Sequence, residues 1–251
     1  MMLDNLSKVH WVAHRGDCEH HIENTLDSIK TAINNGIEHI EIDVQLTQEG
    51  LPVVFHDNNL KAMLNLDTCM SKVSFSHINK QPLTPRKKTT VLNNDYYIPM
   101  LSQVVSLIQQ SPNVTLYVEV KNINFCYFSY QYVYKTIINT LKPIIKQVVI
   151  IGFSYRFLRL VKKNSTLPIA YVLPSWKHYS IKMLSNLKPE IIFSDINIIP
   201  TTEEFFTKKE TWVVYEISHI EQARRLINQG IYGFESFTPS LLKAISITKD
   251  K

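Results

Sequence analysis

Residues 39–57, HIEIDVQLTQEGLPVVFHD, contain the pattern that decides the fold. Polar and apolar side chains alternate along residues 39–46, as expected for a strand with one polar face. A short turn that contains Gly50 follows, and residues 51–56 form a second run of strand type. The stretch therefore predicts a β-hairpin attached to one strand of a larger sheet.

This hairpin is expected to bring chemically active side chains to one face. A two-residue turn at Glu49 and Gly50 would pair Asp43 with His56 on the facing strand. Because side chains alternate between the two faces of a strand, Glu41 lies on the same face as Asp43. The pattern therefore predicts that two carboxylates and one imidazole converge.

Strand-like and helix-like segments alternate along most of the chain. This alternation over 251 residues favours an α/β fold, a TIM (β/α)8 barrel more than an open doubly wound sheet. We expect one domain over residues 1–251, with an inserted cap segment at about 58–98 that shows no sustained period. The eight candidate barrel strands are 9–13, 39–46, 114–120, 148–151, 169–173, 191–194, 212–217 and 233–237.

Composition and charge narrow the class of protein. With 45% hydrophobic and 20% charged residues, the chain has an ordinary globular composition, and its net charge of +5 is too mild to indicate a nucleic-acid partner. No stretch approaches the roughly 20 apolar residues of a membrane span, and residues 1–8 lack the apolar block of a signal peptide. Three cysteines without CxxC spacing argue against a disulfide framework, so we expect a cytoplasmic location.

Residues with catalytic potential follow the ends of predicted strands. His14 and Arg15 follow the first strand, and Glu119 and Lys121 share one face near the end of a later strand. Asn24 precedes a helical segment and is predicted to be its N-cap. In a TIM barrel, the carboxyl ends of the strands carry the chemistry. We therefore expect these side chains at one end of the barrel.

The acidic side chains predict a metal site. Glu41, Asp43 and Glu119 would repel one another in a shared site unless a divalent cation lay among them. Oxygen ligands of this kind suit Mg2+ or Ca2+. Beside such a cation, His14 and His56 could divide proton transfer, one as acid and the other as base, because imidazole titrates near neutral pH.

The basic side chains predict an anionic substrate. Arg15 offers a planar fork that matches phosphate oxygens, and Lys121 offers a point charge. Together with a metal and two histidines, they predict cleavage of a phosphodiester. Arg86, Lys87 and Lys88 form a basic run in the inserted segment, which we expect to be solvated, with an anionic substrate or a lipid surface as the alternative partner.

The order of these motifs resembles the glycerophosphodiester phosphodiesterase family over about residues 9–240. The resemblance implies a TIM barrel with a single divalent cation. The matching motifs are His-Arg-Gly at 14–16, Glu-Asn at 23–24, Glu-x-Asp at 41–43, His-Asp at 56–57, Ile-Pro-x-Leu at 98–101 and Glu-x-Lys at 119–121. The implied roles are metal binding by Glu41, Asp43 and Glu119, acid and base catalysis by His14 and His56, and phosphate binding by Arg15 and Lys121.

The last third of the chain departs from the family pattern. Where such enzymes usually have Trp-Thr-Val-Asn, residues 215–218 are Tyr-Glu-Ile-Ser, and residues 236–239 are Ser-Phe-Thr-Pro instead of the usual Thr-Asp and proline. We therefore expect a changed alcohol-binding side of the pocket, where the acidic Glu216 would favour a cationic or polyol head group.

The sequence thus predicts an enzyme that hydrolyses glycerophosphodiesters to glycerol 3-phosphate and an alcohol. A lysophospholipase D or sphingomyelinase D type of activity, with peripheral lipid contact, is one alternative, and a non-catalytic phosphodiester-binding module is another. The sequence leaves several properties open: the head group, Mg2+ against Ca2+, which histidine is the base, whether water or a substrate hydroxyl attacks, and the oligomeric state.

Overall fold

Eight parallel strands form a closed barrel in the computed structural model, which describes residues 9–85, 95–179, 181–200 and 211–248. The first strand pairs with both the second and the last, which closes the ring and confirms the predicted TIM barrel. A ninth strand, β3, pairs antiparallel with β2. The strands are β1 (His10–His14), β2 (His39–Leu46), β3 (Pro52–Val54), β4 (Thr115–Val120), β5 (Val148–Gly152), β6 (Ile169–Leu173), β7 (Ile191–Asp195), β8 (Thr211–Tyr215) and β9 (Gly233–Ser236).

Helices connect the strands on the outside of the barrel, as right-handed β-α-β crossovers require. None of the described helices is long and apolar enough to cross a bilayer. The α-helices are α1 (Leu26–Asn34), α2 (Lys61–Leu64), α3 (Phe75–Ile78), α4 (Leu101–Ile108), α5 (Tyr130–Leu141), α6 (Tyr155–Asn164), α7 (Ile181–Leu187), α8 (Ile220–Asn228) and α9 (Pro239–Thr248). Short 3-10 turns lie at Met70–Lys72, Asn122–Cys126, Lys142–Gln147, Trp176–His178 and Ile196–Ile198.

The N-cap of α1 differs from the prediction. Thr25, not Asn24, caps the helix, and Thr25 and Ser28 form a reciprocal capping box. Asn24 adopts a left-handed backbone with φ 59° and directs its side chain into the barrel end, where it donates to Asp43. The helix start lies one residue later than expected, which frees the Asn24 amide for the site.

The hairpin between β2 and β3 forms one residue out of the predicted register. The backbone N–H of Phe55 donates to the carbonyl of Asp43 (2.9 Å), so Phe55 rather than His56 lies opposite Asp43. The turn is one residue longer than a two-residue turn, because the N–H of Thr47 donates to the carbonyl of Leu51 (3.0 Å) and leaves residues 48–50 as the turn. Gly50, with φ 82°, ends this turn, and its N–H donates to the carbonyl of Thr47 (2.9 Å). His56 therefore follows the paired part of the hairpin.

The inserted segment packs a core of its own against the hairpin. Leu60 and Met63 are buried beside Val53 and Phe55, together with apolar side chains from the described residues up to 98. This packing gives the segment helices and turns where no sustained period was visible in the sequence. The basic run at 86–88 lies outside the described residues.

Large side chains fill the interior of the barrel. Phe193 on β7 is 1% exposed and lies edge to face with Tyr117 on β4, with ring centroids 5.5 Å apart. Val12, Val172 and Val213 belong to the same interior cluster. The interior is therefore a packed core beneath the carboxyl ends of the strands.

We expect Phe193→Ala to lower the free energy of unfolding by about 3–5 kcal/mol, because it removes a buried ring and leaves a cavity in the barrel. Chemical denaturation monitored by circular dichroism measures the loss. The exposed Lys135→Ala on α5 serves as control and should change stability by no more than about 0.5 kcal/mol. Equal stability of the two variants would contradict a packed interior.

Candidate functional site

Polar side chains from β1, β2 and β4 meet at the carboxyl ends of the barrel strands. His14 is the last residue of β1, Glu41 and Asp43 lie on β2, and Glu119 and Lys121 lie at the end of β4. The register pairs His14 with Glu41 and Asp43 with Glu119 on adjacent strands. The parallel topology thus brings the predicted residues to one end of the barrel.

Three carboxylates form the centre of this site. One oxygen from each of Glu41, Asp43 and Glu119 lies within 4.8 Å of the others, and Glu41 and Asp43 are almost completely buried. Burial, together with the negative charge of Asp43, raises the pKa of Glu41 well above its usual range. The Oε1 atom of Glu41 has no hydrogen-bond partner. A buried, unpaired oxygen among clustered carboxylates fits a hard divalent cation.

Asp43 is held in its ionised form. Burial alone would raise its pKa, but the charges of Lys121 and Arg15 outweigh burial and hold the pKa of Asp43 well below its usual range. The Nζ atom of Lys121 and the Nε atom of Arg15 each lie 3.1 Å from an oxygen of Asp43. The amide of Asn24 donates to Oδ2 of Asp43 at 2.9 Å.

The ammonium group of Lys121 lies between two of the three carboxylates. Its Nζ atom is 2.8 Å from Oε1 of Glu119 and 3.1 Å from Oδ1 of Asp43. Burial disfavours the charged amine, yet these carboxylates outweigh burial and raise the pKa of Lys121 above its usual value. Lys121 is therefore a permanent positive charge at the site.

The segment after β1 is shaped to hold Arg15. Arg15 has a left-handed backbone with φ 60°, its N–H donates to Oε2 of Glu41 (3.1 Å), and its guanidinium pairs with Glu23 (2.6 Å). Gly16 has φ 89°, and a Cβ atom there would lie 2.4 Å from the Ser28 hydroxyl oxygen. Left-handed backbone at a non-glycine residue is a feature that recurs at functional sites.

His14 is fixed by Glu216 and Phe237, two residues that the sequence analysis did not connect with His14. Nδ1 of His14 lies 2.7 Å from Oε2 of Glu216, and the imidazole stacks on Phe237 with centroids 4.4 Å apart. The second oxygen of Glu216 accepts the N–H of Phe237 (2.8 Å). Both residues occupy positions where the chain departs from the family pattern, and this departure was the available signal.

Glu235 on β9 is a further carboxylate that sequence reasoning missed. It is 3% exposed, and one of its oxygens lies within 4.8 Å of ligand atoms of His14 and Glu41. Burial raises the pKa of Glu235 to about 7 despite the nearby His14. In turn, Glu235 and the hydrogen bond to Glu216 outweigh the effect of burial on His14 and raise the pKa of that imidazole. A carboxylate in the middle of a short apolar strand was the signal for it.

His56 lies at the same end of the barrel, beside the hairpin. His56 is close enough to Asp43 to contribute to the lowered pKa of that carboxylate, and the Nδ1 atom of His56 is 2.9 Å from Oδ1 of Asp57. The amide of Gln45 donates to the carbonyls of Phe55 (3.0 Å) and Asp57 (2.7 Å), on either side of His56. The side chain of His56 is 32% exposed, so it borders the solvent while His14 is enclosed.

Some known proteins are similar to this chain over most of its length, and others over less than half of it. A glycerophosphodiester phosphodiesterase from Caldanaerobacter subterraneus subsp. tengcongensis is 27% identical over 92% of this chain and 95% of its own. Human glycerophosphodiester phosphodiesterase 1 is 32% identical over 44% of this chain and 33% of its own. The chain therefore matches only a third of the length of this mammalian relative.

Solved structures share the fold. A crystal structure from Silicibacter pomeroyi, described as a glycerophosphoryl diester phosphodiesterase, superposes with a TM-score of 0.84 at 16% identity, over 99% of this chain and 98% of that one. A phosphodiesterase from Oleispira antarctica, in complex with its product sn-glycerol-3-phosphate, superposes with a TM-score of 0.82 at 21% identity, over 96% and 98%. At this level of identity, the likeness establishes the barrel.

The family is established by a match over most of the chain. The model of the glycerophosphoryl diester phosphodiesterase family matches residues 14–191. This span contains His14, His56, the three clustered carboxylates, Arg15 and Lys121. That span is more than half of the 251 residues. The chain therefore belongs to the glycerophosphoryl diester phosphodiesterase family.

Proposed function

We propose that the protein is a metal-dependent phosphodiesterase that hydrolyses glycerophosphodiesters to glycerol 3-phosphate and an alcohol. The observation that carries this proposal is the placement of two histidines, two permanent cations and three carboxylates at one end of the barrel. The activity named for the Caldanaerobacter relative and the product bound to the Oleispira structure support the same substrate class.

Glu41, Asp43 and Glu119 are the residues that would hold one divalent cation, Mg2+ or Ca2+. When bound, such a cation supplies positive charge for the phosphoryl oxygens of the substrate. Asp43 is already ionised, and Glu41 contributes a buried oxygen without a hydrogen-bond partner. Both features favour the binding of a cation by these three carboxylates.

The remaining residues bind the substrate and move protons. We assign Arg15 and Lys121 to the phosphate oxygens, because both are permanent cations beside the cluster. One of His14 and His56 would remove a proton from water or from a neighbouring substrate hydroxyl. The other would protonate the alkoxide that leaves.

The assay that tests the proposal measures release of glycerol 3-phosphate from a panel of glycerophosphodiesters, with Mg2+, Ca2+ or a chelator. We expect turnover with at least one of the two cations and none after chelation, restored when the cation returns. Absence of turnover on every diester, including a generic aryl phosphodiester, would instead favour a non-catalytic binding module.

Hydrolysis of a lysophospholipid is the second candidate activity. A human lysophospholipase D is 25% identical over 44% of this chain and 35% of its own, and its activity supports a lysophospholipid as substrate. Peripheral contact with a lipid surface belongs to this second proposal. Assaying lysophosphatidylcholine beside glycerophosphocholine separates the two. A higher kcat/KM for the lipid would identify the lipid as the preferred substrate.

We also propose that residues 1–251 act as one domain in which the inserted segment, about 58–98, supports the site. Leu60 and Met63 pack against Phe55, the neighbour of His56 along the chain. The segment is thereby joined to the backbone that carries one of the two proposed catalytic histidines.

We expect Glu216→Gln to lower kcat by about 10-fold or more with a smaller change in KM. Glu216 fixes the orientation of His14 through a 2.7 Å hydrogen bond, and an amide in its place cannot stabilise the imidazolium in the same way. This loss is a part of the roughly 10²- to 10⁴-fold rate acceleration that a positioned acid or base group contributes. Steady-state kinetics measure it, with Asp195→Asn at the end of β7 as control. A change in KM alone would contradict a role through His14.

A further inference from the structure

We propose that His14, Glu41 and Glu235 form a second cation site, selective for Zn2+, next to the site of the three carboxylates. Each of the three residues comes from a different strand, β1, β2 and β9, and one ligand atom from each lies within 4.8 Å of the others. Glu41 belongs to both clusters, so its carboxylate can bridge two cations.

Two unpartnered buried oxygens point to a ligand at this place. Glu235 is 3% exposed and Glu41 is 2% exposed, and the Oε1 atom of each has no hydrogen-bond partner. A buried carboxylate oxygen without a partner is costly, because burial removes its hydration. The charge of Arg15 partly offsets the effect of burial on the pKa of both glutamates. The guanidinium of Arg15 and the ammonium of Lys121 nevertheless make their ion pairs with other carboxylates, those of Glu23, Asp43 and Glu119, so neither Oε1 atom is paired.

The surroundings of His14 match those of a metal-binding histidine. Its Nδ1 atom is hydrogen-bonded to Glu216, which leaves Nε2 as the nitrogen able to bind a cation. Ligating histidines usually donate their other ring N–H to a carboxylate in this way, and the carboxylate orients the ring. Phe237, stacked on the imidazole, further restricts its rotation.

The donor set of this second site favours Zn2+ over Mg2+ and Ca2+, the two cations proposed for the site of the three carboxylates. One imidazole nitrogen with two carboxylates is a ligand set that zinc accepts, whereas Mg2+ and Ca2+ prefer oxygen ligands alone. A zinc ion on His14 occupies the lone pair that proton transfer needs. This consequence rests on the proposed function: zinc inhibits phosphodiester hydrolysis while Mg2+ or Ca2+ stays bound to the three carboxylates.

The direct test is isothermal titration calorimetry of Zn2+ into the full chain saturated with Mg2+. We expect one equivalent of zinc to bind to the wild-type protein. Glu235→Gln should weaken binding at least 10-fold, and His14→Ala should weaken it similarly, because each removes one of three ligands. Asp195→Asn, which removes a carboxylate from the end of β7, should bind zinc like the wild type.

Two results would overturn the proposal. One is an unchanged zinc affinity in Glu235→Gln. The other is a zinc affinity that falls in proportion to added Mg2+, which would place zinc in the cluster of the three carboxylates. Because an amide of nearly the same shape replaces a buried carboxylate, we expect Glu235→Gln to fold. Glu235→Asp provides a second variant, because its side chain is one methylene group shorter and holds the carboxylate farther from the site.

An activity measurement tests the consequence for the enzyme. At saturating Mg2+, zinc should inhibit wild-type hydrolysis of glycerophosphocholine, and Glu235→Gln should need at least 10-fold more zinc for the same inhibition. If the same zinc concentration inhibits the wild type and Glu235→Gln to the same extent, zinc does not inhibit through this site. The calorimetric test does not depend on turnover. If the protein shows no phosphodiesterase activity, the proposed function is refuted, and the zinc affinities of the wild type and Glu235→Gln still test the zinc site.

Discussion

Replacing either His14 or His56 with alanine is expected to lower kcat by roughly 10²-fold or more, within the usual contribution of a positioned acid or base. Both imidazoles lie at the barrel end that holds the carboxylates, and in each variant water would have to take over the proton transfer that we propose for the missing histidine. Steady-state kinetics on glycerophosphocholine, at saturating cation, measure the loss.

The two variants should differ in their response to the alcohol that leaves. The histidine that protonates the alkoxide matters most for a poor leaving group such as choline and least for 4-nitrophenol, which leaves without a proton. The variant that recovers on an aryl diester therefore identifies the acid, and the other histidine is the base. This comparison resolves an assignment that neither residue's sequence motif determines.

His20→Ala is the matched control for these variants. His20 lies in the loop that follows His14, but its side chain is 53% exposed and lies outside the cluster of carboxylates. We expect wild-type kcat for His20→Ala, and thermal unfolding should show that all three variants are folded at the assay temperature. Turnover near wild type in both His14→Ala and His56→Ala would refute their catalytic roles.

The barrel could be predicted because its signals are local. The alternation along β2 and the helical periods between strands depend on neighbours a few residues apart, and each predicted barrel strand lies within a few residues of an observed one. The predicted hairpin register was wrong because a glycine with positive φ, such as Gly50, suits a two-residue turn and a three-residue turn equally well. No side-chain pattern in residues 39–57 distinguishes the two turn lengths.

The site was predicted in part, for a related reason. His14, Glu41 and Glu119 stand in short motifs, but Glu216 meets His14 across 202 residues of sequence. Such a contact is made by the closure of the barrel, which places β9 beside β1 and β8 on the far side of β9. Sequence alone marked residues 215–218 as unusual without showing that the change serves His14. Glu235 was hidden in the same way.

Removal of the central carboxylates is the second large effect that we expect. Glu41→Gln and Asp43→Asn should each abolish cation-dependent hydrolysis, because each deletes one of three ligands and a buried negative charge. Activity with and without cation measures the loss. The two variants should nevertheless differ in stability, since their environments are opposite.

Without cation, Asp43→Asn should be less stable than the wild type by about 3–5 kcal/mol, the range for breaking a buried ion pair. Asn in place of Asp43 leaves Arg15 and Lys121 without their shared partner. Glu41→Gln should be as stable as the wild type or more stable, because the raised pKa of Glu41 shows that its ionised form disfavours the folded state. For an acid with a raised pKa, that unfavourable contribution grows as pH rises, so the advantage of Glu41→Gln should increase from pH 5 to pH 8.

Thermal unfolding with and without Mg2+ or Ca2+ completes the test. At a cation concentration 100 times its Kd, binding stabilises the wild type by about 2.7 kcal/mol, which for a chain of this length raises Tm by about 5–10 °C. Neither carboxylate variant should show this rise, although Glu41→Gln is fully folded. An equal rise in Glu41→Gln and the wild type would place the cation away from Glu41, and the assignment of the metal site to the three carboxylates would fail.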